Sequence, residues 1–281
     1  MKNSLPLVSV IIPCYNHQAY IQDSIQSILD QTYANIELIV IDDGSKDQSV
    51  TKIEEMLEQC KTRFEHVYFN TRANKGLCAT LNEALQLCKG KYVSIIASDD
   101  IMLAHKTQLQ VDYLEKNSNV MGVFGGIELI NKSGIVIGER ISNQIEYSLK
   151  EVLLSQHDLP ALTQMYHLSC IKNIGGYDEN IKIEDWYMIL KLLKNNNRLV
   201  YIPQKLAKYR LHDENFSKNS LKMAIEMKKV LDVYKGERVY LFLIYRLNRI
   251  ILREQFKQSN PLKYYILKLM NWSKYRLNVK V

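Results

Sequence analysis

Glu37-Leu38-Ile39-Val40-Ile41-Asp42-Asp43-Gly44-Ser45 is a short apolar run that stops abruptly at two carboxylates and a turn. An unbroken, β-branched apolar run bounded by turn residues is the pattern of a strand buried on both faces. Upstream, Leu7-Val8-Ser9-Val10-Ile11-Ile12 is a second such run, stopped by Pro13. Between them Ile21, Ile25, Ile28 and Leu29 recur at three- and four-residue spacing, which predicts a helix from Ala19 to about Gln31. Downstream the pattern continues with a helix over Val50 to Cys60, a strand over His66 to Asn70, a helix over Gly76 to Cys88 and a strand over Tyr92 to Ile96. Parallel neighbours need crossover connections, so this α/β alternation implies a mostly parallel sheet with helices on both faces. In such sheets ligands gather beyond the carboxyl ends of the strands. Three of those ends carry polar residues, Tyr15-Asn16, Asp42-Asp43 and Asp99-Asp100, and they are expected to converge on one cleft.

Beyond residue 100 the order loosens. A helix is expected over Thr107 to Lys116, a hairpin over Val120 to Ile130 and Ile135 to Glu139, and a short helix over Leu149 to Ser155. After the Gly175-Gly176 turn, Trp186, Ile189, Leu190 and Leu193 mark a helix over Glu184 to Asn195. The 281 residues are 47% hydrophobic and 24% charged, which excludes a disordered chain, and with only 11 Gly and 5 Pro there is neither a collagen-like repeat nor a low-complexity linker. Five scattered cysteines without C-x-x-C spacing point to a reducing compartment, with neither disulfides nor a zinc site. No apolar signal-peptide core and no stretch of about 18 apolar residues is visible, so a chain neither secreted by that route nor membrane-spanning is expected.

The net charge of +7 is unevenly spread: residues 221–281 hold 14 Lys and Arg against 4 Asp and Glu, while residues 1–220 are slightly acidic. The expected division is therefore a main domain over 1–220 and a basic, amphipathic helical tail over 221–281. Within the main domain, 1–100 is the regular half and 101–220 the looser one. In the tail, Tyr240, Ile244, Leu247 and Ile251 repeat on one helical face and Arg246, Arg249, Arg253 and Lys257 on another. After Pro261, aromatic and cationic residues interleave. Such a segment suits a membrane surface, or packs on the domain or on a second subunit; nucleic acid is disfavoured.

Adjacent carboxylates at a strand end repel each other, and a site that keeps both commonly offsets them with a hard divalent cation shared with substrate phosphates. Asp99-Asp100 has that form, although a solvated turn capping a helix is the plainer alternative. Asp42-Asp43-Gly44-Ser45 is likewise either an ordinary turn or a carboxylate that receives a base imide or ribose hydroxyl near helix N-termini suited to phosphate. Glu184-Asp185 opens a helix, where it complements the dipole or serves as a general base. A further acidic pair, Asp213-Glu214, follows His212.

In order, Val8 to Asn16, Leu38 to Ser45, Asn74-Lys75-Gly76, Ser98-Asp99-Asp100, Gly175-Gly176-Tyr177-Asp178 and Glu184-Asp185 resemble a family 2 glycosyltransferase of the GT-A fold, over roughly residues 7 to 215. The resemblance implies inverting transfer of a sugar from a nucleotide sugar, with UDP the nucleotide expected from family habit, to a hydroxyl, with Mn²⁺ or Mg²⁺ on the diphosphate; residues 1–100 would be the nucleotide-binding half and 101–220 the acceptor-binding half. It implies that Asp43 contacts uracil and that Pro13, Tyr15 and Asn16 line the nucleotide pocket, with Asp42 contacting the nucleotide or supporting the loop. Lys75 lies where a basic nucleotide or phosphate contact is common. Asp100 matches the metal ligand of the D-x-D element and Asp99 a ribose or donor contact, although the first acid of that element is missing here. Asp185 matches the catalytic base, with Glu184 as substitute. His212 matches a histidine that approaches the metal or diphosphate. The absence of Q-x-x-R-W implies addition of a single sugar rather than a polymer, onto a saccharide or lipid-linked acceptor in bacterial surface polysaccharide synthesis. A cytoplasmic enzyme is expected, peripheral on the inner face of the cell membrane if the tail binds there, or a homo-oligomer if the tail packs on a second copy. Two other readings stand beside it: a sugar nucleotidyltransferase, and a non-catalytic nucleotide-sugar-binding scaffold.

Overall fold

The computed structural model describes residues 5–212 and 219–279; Asp213 and Glu214 lie outside them. The first half runs β1 (Val8–Cys14), α1 (Ile21–Leu29), β2 (Ile36–Asp42), α2 (Ser49–Glu54), α3 (Leu57–Arg63), β3 (Val67–Thr71), α4 (Leu77–Leu87) and β4 (Tyr92–Ile95). These strands lie in the order β3-β2-β1-β4 and all three ladders are parallel. Side-chain alternation splits the apolar runs between two cores. Ile11, Ile39, Ile41, Val93 and Ile95 pack with Leu81, Ala84 and Leu85 of α4, and Val10, Ile12, Leu38 and Val40 pack with Ile21, Ile25 and Ile28 of α1. Burial on both faces explains the unbroken apolar runs and fixes the register, since a slip of one residue would exchange the two sets.

The second half adds β5 (Ile101–Met102), α5 (Lys106–Lys116), β6 (Val120–Ile130), β7 (Val136–Arg140), α6 (Leu149–Leu153), β8 (Met165–His167), α7 (Leu168–Asn173), α8 (Glu184–Lys194) and β9 (Arg198–Arg210). The sheet continues β4-β8-β6-β9-β5, with β7 on the flank of β6. β8 is antiparallel to both neighbours, while β6 and β9 form a long parallel ladder. The hairpin closes as expected through the turn at Asn131 to Gly134, where Asn131 N–H donates to the Ile135 carbonyl at 3.0 Å and Gly134 N–H to the Asn131 carbonyl at 3.0 Å. The sequence reading contained neither β8 nor β9. Pro203 interrupts the β9 pattern, and the ladder steps from Gly125 opposite Ile202 to Gly126 opposite Lys205, so the proline and its neighbour sit in an irregularity instead of ending the strand. The helix expected over Val50 to Cys60 is two helices, because Met56 N–H donates back only three residues, to the Ile53 carbonyl at 3.0 Å, tightening the chain between α2 and α3.

Three helices follow: α9 (Ser220–Leu231), α10 (Tyr240–Phe256) and α11 (Pro261–Val279). Ala224, Val230 and Leu231 of α9, and Leu243 and Leu247 of α10, join the same apolar cluster as Trp186, Ile189 and Leu190 of α8. The beginning of the basic segment is thus packed on the sheet-and-helix body. All five cysteines are free and buried. No helix among the described residues is long and apolar enough to cross a membrane.

Lys106, at the start of α5, is fully buried, and its Nζ donates to Ser94 Oγ at 2.6 Å. Burial pushes the amine down from 10.5 to about 7. Between those values the folded chain holds the amine neutral while the unfolded chain holds it charged. The unfolded state therefore binds the extra proton, and stability rises with pH across that window. Lys106→Met keeps the stem volume and leaves Ser94 Oγ its bond to the Gln164 carbonyl at 2.9 Å. Urea unfolding at pH 7 should show this variant more stable by about 1–3 kcal/mol, with that pH-dependent component removed; an unchanged slope between pH 7 and 9 would contradict the account.

Candidate active site

The loop after β1 laces the strand ends together. Asn16 adopts φ 54°, a conformation open to Asn. Its N–H donates to Ser45 Oγ at 2.8 Å, and its Oδ1 accepts from Lys46 N–H at 2.7 Å. His17 N–H donates to Ser49 Oγ at 2.9 Å, while its ring Nδ1 meets Ser98 Oγ at 2.7 Å. The ends of β1, β2 and β4 are therefore tied by two consecutive residues. Pro13 lies in β1 opposite Ile41, half-buried, and Tyr15 is exposed beside it.

The two acids after β2 do different work. Asp42 is fully buried, and Oδ1 accepts from Gly44 N–H at 3.1 Å, Ser45 N–H at 3.0 Å and Thr71 Oγ1 at 3.0 Å. These bonds tie Asp42 to the turn after β2 and to the end of β3. Asp43 Oδ1 accepts from the Arg72 guanidinium and from Lys75 N–H at 2.8 Å, and Oδ2 accepts from Gly76 N–H at 2.9 Å. Lys75 thus meets Asp43 through its backbone while the residue itself is exposed. Gly44, at φ 79°, allows this approach, since a Cβ there would lie 2.8 Å from Asn74 N and 2.9 Å from the Arg72 carbonyl. Arg72 was not a candidate in the sequence. It follows β3, and the rule that directs attention to the ends of β1, β2 and β4 applies to that end equally.

After β4 the two acids also part. Asp100 turns inward: Oδ1 accepts from Arg210 N–H at 2.9 Å, and burial together with the adjacent Asp99 charge drives its carboxyl well above the usual range. The carboxylate beside the histidines is that of Asp99, whose Oδ2 lies 2.7 Å from His212 Nε2 and 4.0 Å from His17 Nε2. Ligand atoms of His17, Asp99 and His212 all lie within 4.8 Å of one another. Two imidazoles and one carboxylate form a mixed nitrogen and oxygen donor set, which fits a divalent cation of the Mn²⁺ type better than the all-oxygen preference of Mg²⁺. The Ser98 hydroxyl on Nδ1 orients the His17 ring, as outer partners of ligating histidines do. His17 carried no metal-type spacing in the sequence; only its place beside Tyr15-Asn16 signals it.

Arg210, 1% exposed, holds this corner. Its Nε donates to the Asp99 carbonyl at 2.8 Å, Nη1 to the Lys132 carbonyl at 3.1 Å and Nη2 to Asp23 Oδ2 at 2.9 Å. Its guanidinium lies 4.7 Å from the ring centre of Tyr20, which itself stacks on His212 at 5.6 Å.

Glu184 and Asp185 open α8, both half-buried. Burial and the neighbouring Asp185 charge raise the Glu184 carboxyl to about 8, and burial raises that of Asp185 too. As a close pair they titrate together. The first turns of α4 connect them to Asp43: Gly76 N–H binds Asp43, Cys78 Sγ lies 3.0 Å from the Ile181 carbonyl, and Asn82 clasps Tyr177 through both backbone groups, at 3.0 and 2.9 Å.

The family model for Glycosyl transferase family 2 matches residues 9–156. A glucosyltransferase from Escherichia coli, UDP-Glc:alpha-D-GlcNAc-diphosphoundecaprenol beta-1,3-glucosyltransferase WfgD, is 33% identical over 250 residues, covering 88% of this chain and 93% of its own. Among solved structures, S. aureus TarS 1-349 in complex with UDP-GlcNAc superposes with a TM-score of 0.70 at 16% identity, over 96% of this chain and 80% of that one. The mannosyltransferase PcManGT from Pyrobaculum calidifontis, in complex with GDP-Man and Mn²⁺, does so with a TM-score of 0.66 at 14% identity, over 98% and 83%. Those two likenesses establish the GT-A architecture, and the match of the family model together with the similarity along nearly the whole E. coli enzyme shows that the chain belongs to glycosyl transferase family 2.

Proposed function

We propose that this glycosyltransferase transfers a single sugar, with inversion, from a UDP-sugar to a hydroxyl of a saccharide carried on a lipid diphosphate, in bacterial surface polysaccharide synthesis. The observation that carries the reading is the meeting of Asp99 and His212 with His17, distant in sequence, beside the strand ends that hold Asp43. The name of the E. coli relative supports the lipid-linked acceptor and the UDP-linked donor.

Asp43 and Arg72 would receive the base, with Pro13, Tyr15, Asn16 and Lys75 around the nucleotide and Asp42 fixing the loop beneath it. Asp99, His17 and His212 would hold the cation, with Asp100 adjacent in the chain. When bound there, a divalent cation supplies Lewis-acid stabilisation of the charge that grows on the leaving diphosphate. Asp185, or Glu184 in its place, takes the proton of the acceptor hydroxyl as that oxygen attacks the anomeric carbon. The bond to the diphosphate breaks on the opposite side, which produces inversion. Burial, which raises the Asp185 carboxyl, makes it a stronger base than an exposed one.

Asp185→Asn should fold and bind UDP with wild-type affinity while kcat falls about 10²–10⁴-fold; single-turnover assays with unchanged rates would remove Asp185 from the chemistry. Because the base must be ionised, kcat/KM should rise with pH on its acid limb. Asp185 is already charged where Glu184 titrates, so Glu184→Gln takes no negative charge from beside Asp185 and should leave the limb in place; a limb that moves would show that Glu184, not Asp185, is the base that titrates. For the cation, calorimetry of Mn²⁺ binding should give about 10-fold or greater loss in Asp99→Asn and His212→Ala. A loss confined to Asp100→Asn would return the ligand role to Asp100.

A further inference from the structure

α10 is seated on the body by Leu243 and Leu247, and α11 is held on α10 by one side only. On that side Asn271 Nδ2 donates to the Tyr245 carbonyl at 3.1 Å, and Tyr275 stacks on Tyr245 with ring centres 4.7 Å apart. At 100° per residue, the opposite half of α11 carries Leu262, Tyr265, Ile266, Leu269, Met270 and Trp272. These six side chains are 45–72% exposed. Lys263 and Lys274 border this stripe on one edge and Lys268 on the other. Arg276 lies across the Trp272 ring at 4.9 Å. Between α10 and α11 a cleft of about 310 Å³ is lined by Arg246, Arg249 and Arg253 with the rings of Phe242, Tyr245 and Tyr264.

We propose that this face of α11, with the arginine cleft between α10 and α11, docks the enzyme on an anionic phospholipid bilayer. The apolar stripe enters the boundary between headgroups and acyl chains, Trp272 and Tyr265 sit at headgroup level, and the bordering lysines and cleft arginines meet lipid phosphates. Charge separates this occupant from the others. Residues 221–281 carry 14 Lys and Arg against 4 Asp and Glu, so a second copy would bring like charge to the same face. A nucleic acid would match the charge and leave the exposed Leu, Ile and Met unburied. The surface is separate from the residues proposed to bind donor and cation, so its failure and theirs are distinguishable.

Co-sedimentation of the full chain with vesicles tests this. Vesicles of phosphatidylcholine containing phosphatidylglycerol should bind the wild type at least 10-fold more tightly than phosphatidylcholine alone, with affinity falling as salt rises. Ile266→Asp with Leu269→Asp, at exposed positions, should lose at least 10-fold of that affinity while metal-dependent donor hydrolysis and the helical circular dichroism signal stay at wild-type values. Arg249→Gln with Arg253→Gln should reduce the preference for phosphatidylglycerol. Wild-type protein that stays in the supernatant, or an apolar double variant that binds as well as wild type, would overturn the proposal. So would a wild-type dimer in size exclusion that the double variant converts to monomer without any vesicle binding.

Discussion

A guanidinium keeps its charge in a protein and has to be satisfied wherever it is buried. Arg210 meets that demand by joining three separate pieces of chain: the Asp99 carbonyl after β4, the Lys132 carbonyl in the hairpin turn, and the start of α1, where it meets Asp23 and the face of Tyr20. Its own N–H fixes Asp100. β9 therefore cannot end elsewhere, and His212, two residues on, is delivered to Asp99. The meeting of His212 with Asp99, the pair proposed to hold the cation, follows from satisfying one buried charge.

The acids of the site are separated by environment rather than by type. Asp42 spends Oδ1 on three neighbouring donors and acts as a strut. Asp43 shares its oxygens among a guanidinium and two backbone N–H groups, which hold the carboxylate in one orientation. Glu184 and Asp185 lack such donors in number: burial and the Asp185 charge raise the Glu184 carboxyl, and burial raises that of Asp185. In the proposed reaction, Asp43 would face the nucleotide and the Glu184-Asp185 pair the acceptor hydroxyl.

The parallel half was legible because doubly buried strands and amphipathic helices write their periodicity plainly, and the strand-end rule then pointed to Asn16, Asp43 and Asp99. β9 was not, because Pro203 sits in a register irregularity that only the pairing with β6 reveals. Which acid of Asp99-Asp100 faces the histidines was equally hidden, since it depends on the Arg210 N–H, 110 residues away in sequence. His17 and Arg72 have no distinctive spacing; they gain meaning only from Ser98 and Asp43 across the sheet. The tail showed its charge in sequence, but which face of α11 stays uncovered depended on its packing against Tyr245 and Asn248.

The most direct measurement is anomalous scattering from a crystal of the full chain grown with UDP and Mn²⁺. The account predicts one manganese peak within coordinating reach of Asp99, His212 and His17, touching the diphosphate, with the uracil against Asp43 and Arg72. A manganese bound away from Asp99 and His212, or a nucleotide seated away from Asp43, would contradict it.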